Sequence, residues 1–173
     1  MGVVPEPDFL LVQKMRMGDE KALEAFVTKY YSKILAYCRM HTDDQDYAQD
    51  LAQETFARFF RSFRQYQHYG KAANYLYVVA SNLCSDYYRR KKEQLFDTDA
   101  VRDAPDERCG DPDIGLMVRM ALERLPEEIR ETAVLYFMQE RKQKDIAAIL
   151  GIGLPLVKYR IRRARELLSE YLE

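Results

Sequence analysis

KDIAAILGIGLPLVKYRIRRAR, residues 144–165, decides how this chain is read. Apolar residues recur there at steps of three and four on both sides of Gly151 and Gly153, the period of a helix face. Two such stretches around a glycine-containing turn form the pattern of a helix-turn-helix. The first, short helix is expected to turn Ala147 and Leu150 inward. The second, expected from about Pro155 to Leu172, turns Val157, Ile161 and Ala164 inward. Its outward positions are Lys158, Tyr159, Arg160, Arg162 and Arg163. Such a helix fits the major groove of duplex DNA, where arginine pairs bidentately with guanine. Its N-terminal residues meet the bases. Lys158, Tyr159 and Arg160 are therefore expected as readers, and Arg162, Arg163 and Arg165 as contacts nearer the backbone phosphates. A basic face turned to solvent is the alternative, which the turn and the preceding helix in register disfavour.

Upstream, Ile114, Met117, Val118, Ala121 and Leu122 share one face of a further helix. Leu125-Pro126 breaks it, and Pro126 suits the first position of the next, which carries Ile129, Ala133, Leu135, Tyr136 and Phe137. Before residue 113 the composition changes. Asp97, Asp99, Asp103, Asp106, Glu107, Asp111 and Asp113 accompany Pro105, Gly110 and Pro112, with few large apolar residues. That is the composition of an acidic, flexible linker. It separates two helical domains, residues 1–92 and 113–173, with the linker at 93–112.

The first domain is also read as all-helical. Leu10, Leu11 and Met15 mark a short helix that Gly18 ends, and Asp19 can cap the next. Leu23, Phe26, Tyr30, Ile34 and Tyr37 form its apolar stripe, to about His41. Asp43 or Asp44 caps a third helix carrying Leu51, Phe56, Phe59, Phe60 and Phe63. A loop follows from Arg64 to Asn74. A fourth helix runs from about Ala73 to Lys92 and ends in Arg89, Arg90, Lys91 and Lys92.

Bulk properties exclude several classes. Three cysteines and two histidines, widely spaced and without a CxxC, favour neither a disulfide framework nor a metal site. His41 follows Cys38 by one helical step, but two ligands do not close a site that usually needs four. There is no glycine-rich phosphate loop and no nucleophile elbow, so neither catalysis nor a cofactor is expected. The opening MGVVPEPDF lacks a basic stretch followed by an apolar core, so no signal peptide is expected. No apolar run approaches the ~20 residues that span a membrane, which reads as cytoplasmic. The net charge of -1 hides segregated charges.

Two further patterns carry chemistry. Asp50, Gln53 and Glu54 lie at i, i+3 and i+4 and share one polar helix face. It is either a partner surface or simply solvated. From Arg58 to Lys92, aromatic and basic residues interleave: Arg61, Arg64, Tyr66, Tyr69, Lys71, Tyr75, Tyr77, Tyr87 and Tyr88 precede the terminal basic run. Single-stranded nucleic acid takes such surfaces, with bases stacked on rings and cations along the backbone. Asn82 can offer polar partners to an extruded base. Some of these tyrosines are core packing instead, and Tyr77 and Tyr87 can face either way.

These residues resemble a known family. Gly18-Asp19-Glu20, the run Asp50 to Phe56, Tyr75-Leu76-Tyr77 through Asn82 to Asp86, and Arg89-Arg90 look like the promoter-melting domain of extracytoplasmic-function sigma factors. LERLPEEIR (122–130), DIAAILG (145–151) and VKYR (157–160) look like their second domain, which binds the upstream promoter element. The resemblance implies that Asp50, Gln53, Glu54 and Phe60 hold core RNA polymerase. It implies that Arg61, Arg64, Tyr66, Lys71, Asn74, Tyr75 and Asn82 serve the melted minus-ten element, with Arg89, Arg90, Lys91 and Lys92 on phosphates. Pro155, Lys158, Tyr159, Arg160, Arg162 and Arg163 would serve the minus-thirty-five element. An anti-sigma partner is implied as well. The linker from Glu93 to Asp113, drawn out, spans up to ~70 Å. The chain departs from the family pattern at Tyr75, where a tryptophan is usual, and at Arg141, Lys142, Pro155 and Leu156.

A helix-turn-helix regulator binding duplex DNA by itself would explain residues 113–173 but not the Asp50 face followed by an aromatic-basic helix. A protein that only sequesters a partner needs no second basic surface.

Overall fold

The computed structural model describes residues 8–42, 44–63, 71–97 and 112–173. Every regular element among them is helical. The chain divides into two compact units, Met1–Thr98 and Asp99–Glu173.

The first unit holds α1 (Asp8–Arg16), α2 (Glu20–Arg39), α3 (Gln45–Ser62) and α4 (Ala72–Asp97). Gly18, at φ +85°, makes the turn after α1 that a side chain would strain. Asp19 then caps α2, its carboxylate accepting from the N–H groups of Lys21 at 3.0 Å and Ala22 at 3.3 Å. Asp44 does the same for α3 through the Tyr47 N–H; Asp43 lies outside the described residues. The stripe Phe26, Tyr30, Ile34 and Tyr37 is buried as its spacing requires, while Leu23 is only half-buried. It meets a second stripe from α3. Phe26 and Phe59 stack with centroids 5.0 Å apart, and Phe59 also stacks on Phe63 at 6.0 Å. Each such pair adds ~0.5–1.5 kcal/mol beyond the burial of its rings. Tyr77, which could have faced either way, is fully buried against Tyr37. α1 is fastened to α2 through Asp8, whose carboxylate pairs with Lys29 at 2.6 Å and accepts from the Tyr30 hydroxyl. In the core between α2 and α4, the Cys84 thiol hydrogen-bonds Cys38 and lowers its pKa; burial opposes this and nearby His41 assists.

α4 continues five residues beyond the expected end at Lys92, to Asp97.

The second unit holds α5 (Pro112–Glu123), α6 (Glu127–Ala133), α7 (Gln143–Leu150) and α8 (Leu154–Leu172). Pro126 stands just before α6 as its N-cap residue. A π-helical turn, Val134–Met138, extends α6. It was not foreseen, because one extra residue per turn leaves no separate apolar period. Glu140 follows in the left-handed region, at φ 52°. α7 ends on Gly151, also left-handed at φ 65°, and the Ile152 N–H closes the turn on the Ala147 carbonyl at 3.1 Å.

One expectation is corrected here. Ile146 and Ile149 are the buried apolar residues of α7, next to the buried Asp145, while Ala147 and Leu150 are half-buried. The two readings differ by one position, and the larger branched side chains take the core. Val157, Ile161 and Ala164 of α8 are buried as expected. No described helix is long and apolar enough to cross a membrane.

Candidate nucleic-acid interface

α8 carries the helix-turn-helix surface. Its buried stripe faces α6 and α7, so the opposite side is exposed: Pro155, Lys158, Tyr159 and Arg162 all meet solvent. Arg162 lies over the Tyr159 ring, 5.8 Å from its centroid. Arg163 donates to Glu166 at 3.0 Å, and that hydrogen bond raises its pKa.

Arg160 does not belong with these outward residues. Its guanidinium donates to Glu128 on α6 at 3.2 Å, and only 13% of its side chain is exposed. Position 160 lies on the flank of α8 that turns toward α6, so the scaffold claims the group first. The partner is 32 positions away in sequence, and no local pattern signals it. Arg165 was expected near DNA phosphates. Its guanidinium stands 5.7 Å from the centroids of both Tyr136 and Phe137, rings presented by the π turn.

In the first unit, α3 presents Asp50 and Gln53 to solvent. Glu54, beside them, accepts from Arg58 Nε at 2.9 Å and Arg61 at 3.0 Å. The Arg58 hydrogen bond, reinforced by the charge of Arg61, holds the Glu54 carboxyl below its ordinary pKa. The face is thus a mixed-charge patch rather than a purely acidic one. Phe60 is half-buried at its edge, packed on Phe26, Phe56, Phe59 and Phe63.

The aromatic-basic segment divides by burial. Arg61 and Lys71 are exposed, while Asn74 is only 7% exposed, its N–H closing a turn on the Lys71 carbonyl. The half-buried Tyr75 leans on Phe59 at 5.6 Å and hydrogen-bonds Ser62. Tyr87 is half-buried; its ring lies 4.2 Å from that of Tyr47, and Thr42 Oγ1 donates to its hydroxyl at 3.1 Å. Asn82 and Tyr88 are exposed, and so are Arg89, Arg90, Lys91 and Lys92 on the outer part of α4. Arg89 pairs with Asp86. Arg64, Tyr66 and Tyr69 lie outside the described residues. The exposed cations of α4 therefore lie together along its outer part.

Residues 26–94 match the family model of sigma-70 region 2, and residues 115–168 match that of sigma-70 region 4. The RNA polymerase sigma-H factor of Pseudomonas aeruginosa is 27% identical, over 97% of this chain and 95% of its own length. The ECF RNA polymerase sigma factor SigE of Mycolicibacterium smegmatis is 32% identical, over 90% of this chain and 64% of its own length. The ECF RNA polymerase sigma factor SigW of Bacillus subtilis is 27% identical, over 93% and 94% respectively. Among solved structures, CnrH in complex with the cytosolic domain of CnrY aligns at TM-score 0.75 and 22% identity, covering 95% of this chain and 96% of its own. The sigma factor RpoE in complex with the anti-sigma factor NepR, from Bartonella quintana, also aligns at 0.75 and 22%, covering 88% and 97%.

Proposed function

The chain belongs to the extracytoplasmic-function sigma factors of the sigma-70 family, and from that premise we infer how its surfaces divide the work of starting transcription. It binds core RNA polymerase, recognises the minus-thirty-five and minus-ten promoter elements and promotes DNA melting. The observation that carries this is the presence of both family regions, in order, on one chain.

We assign residues 1–92 to polymerase and minus-ten binding, and residues 113–173 to the minus-thirty-five element. Asp50, Gln53, Glu54 and Phe60 contact core polymerase. Exposure of the first two and the apolar edge at Phe60 support this. Arg61, Lys71, Asn74, Tyr75, Asn82 and Arg89 to Lys92 serve the minus-ten element, together with Arg64 and Tyr66. Exposure favours Arg61, Lys71, Asn82 and the terminal run as direct contacts, and burial favours Asn74 and Tyr75 as supports. On α8, Pro155, Lys158, Tyr159, Arg162 and Arg163 face the upstream duplex, while Arg160 steadies the helix through Glu128.

With α4 ending at Asp97 and α5 starting at Pro112, residues 98–111 join the units. Fully drawn out they span at most ~50 Å. That is shorter than the ~70 Å expected for residues 93–113, yet it exceeds one DNA turn of ~34 Å. Two weak contacts so tethered reinforce each other. We further propose that the chain has no catalytic activity of its own, works in the cytoplasm and is held by an anti-sigma protein when idle.

Run-off transcription with core polymerase on a pool of genomic promoters tests the reading. Start sites that require this chain are expected. Duplex binding without polymerase, and no chain-dependent starts, would instead favour an independent regulator.

A further inference from the structure

We propose that α8 reads a thymine methyl group through Leu156, with Pro155 and Tyr159 walling the contact. The proposal rests on the minus-thirty-five role given to α8 above. Its starting point is what the tip of this helix exposes. Leu156 is 40% exposed and Tyr159 50%, and Pro155 is also open to solvent. Positions 156 and 159 are one helical step apart, as are 155 and 159, so the three side chains form one patch over the first turns.

The guanidinium groups around that patch each have a partner within the chain, and that of Arg160 is largely buried while Arg162 and Arg163 stay open to backbone phosphates. Arg160, one turn beyond Leu156, is held by Glu128. Arg163 donates to Glu166, and Arg162 lies over the Tyr159 ring. Lys158 is the exposed cation nearest the tip, and a lysine suits a phosphate as a point charge. The helix tip therefore offers apolar surface where an arginine would otherwise reach for guanine. In the major groove, the apolar feature of a base-pair edge is the C5-methyl of thymine. Burying that methyl against Leu156 removes two apolar surfaces from water at once. The specificity that results is a preference for thymine resting on its methyl group rather than on a hydrogen bond.

Deoxyuridine, which is thymidine without the methyl group, isolates the effect. Holoenzyme reconstituted from this chain and core polymerase would first select upstream elements from randomised duplexes. Each thymine of the selected element would then be replaced singly by deoxyuridine, and holoenzyme affinity measured. At one thymine the replacement is expected to weaken binding about fourfold, the worth of one buried methyl group. Leu156→Ala is expected to bind the thymine duplex at least that much more weakly and to lose nothing further on replacement. Leu156→Met, which keeps the apolar reach, should retain the sensitivity. The inference is overturned if every replacement is neutral, or if Leu156→Ala keeps the full penalty. A holoenzyme that selects no upstream element would overturn the promoter role of α8 itself, a result distinct from selection that ignores the methyl group.

Discussion

In the first unit Phe26, Phe59, Tyr37 and Tyr77 lie within the core, whereas in the second Tyr136, Tyr159 and Tyr171 sit at or near the surface beside Arg165, Arg162 and Arg124. The buried hydrophobic residues described for the second unit are all aliphatic: Leu122, Leu125, Val134, Leu135, Ile146, Ile149, Val157 and Ile161, with three alanines, and the polar Thr132 and Asp145 are buried beside them. The same residue types thus build a core in one unit and a cation-bearing surface in the other. Interleaved aromatics and cations in a sequence do not by themselves locate a nucleic-acid surface; which rings the core consumes has to be known first.

Truncating a core residue in each unit tests the contrast most strongly. Phe59→Ala removes a ring that touches four others and should destabilise the first unit by ~3–5 kcal/mol. Leu135→Ala should cost the second ~2–5 kcal/mol. Hydrogen exchange of the whole chain is expected to show lost protection in α2 to α4 for the former and in α6 to α8 for the latter. Loss in both units from either change would break the picture of two separate cores.

A smaller effect separates scaffold cations from DNA-facing ones. Arg160→Ala should lower the thermal stability of the second unit by up to ~1 kcal/mol. Lys158→Ala should leave stability within ~0.5 kcal/mol but reduce the salt dependence of promoter binding by about one unit of slope. Equal salt effects from the two, with no change in stability, would return Arg160 to the DNA side.

Backbone strain gives a gain of similar or smaller size. Glu140 pays for a left-handed conformation that glycine adopts without a steric cost. Glu140→Gly should raise stability by ~0.5–1 kcal/mol, read as a higher melting midpoint. The smallest effect is confined to one surface group. Arg58→Ala should raise the Glu54 pKa toward its ordinary value, which a carboxyl NMR titration follows. The sign follows from the pair: its contribution is present above the ordinary carboxylate pKa and is lost as pH falls through the lowered one.

Much of this was legible before any coordinates. Stripes at three and four positions gave α2, α3 and α8, and Asp19 and Asp44 announced the helix starts they cap. α8 stands out because its apolar positions recur at helical spacing with basic residues between them. What escaped reading has physical causes. Two adjacent apolar sets in α7 compete for the core, and only packing chooses Ile146 and Ile149. The π turn carries no period of its own. α4 runs on to Asp97, and no proline or glycine between Lys92 and Asp97 marks an end. The tie between Arg160 and Glu128 depends on how α6 and α8 cross, which no window of sequence contains. Burial sets Asn74 apart from the exposed residues it was grouped with.

The Arg160–Glu128 pair also has a consequence on the scale of a genome. A bidentate arginine–guanine contact separates right from wrong bases by ~1–3 kcal/mol, roughly five- to 150-fold. A single methyl contact separates them only about fourfold. If α8 reads the upstream element as proposed, an arginine held in the scaffold would let more upstream sequences pass, and discrimination would then fall more heavily on the melted element.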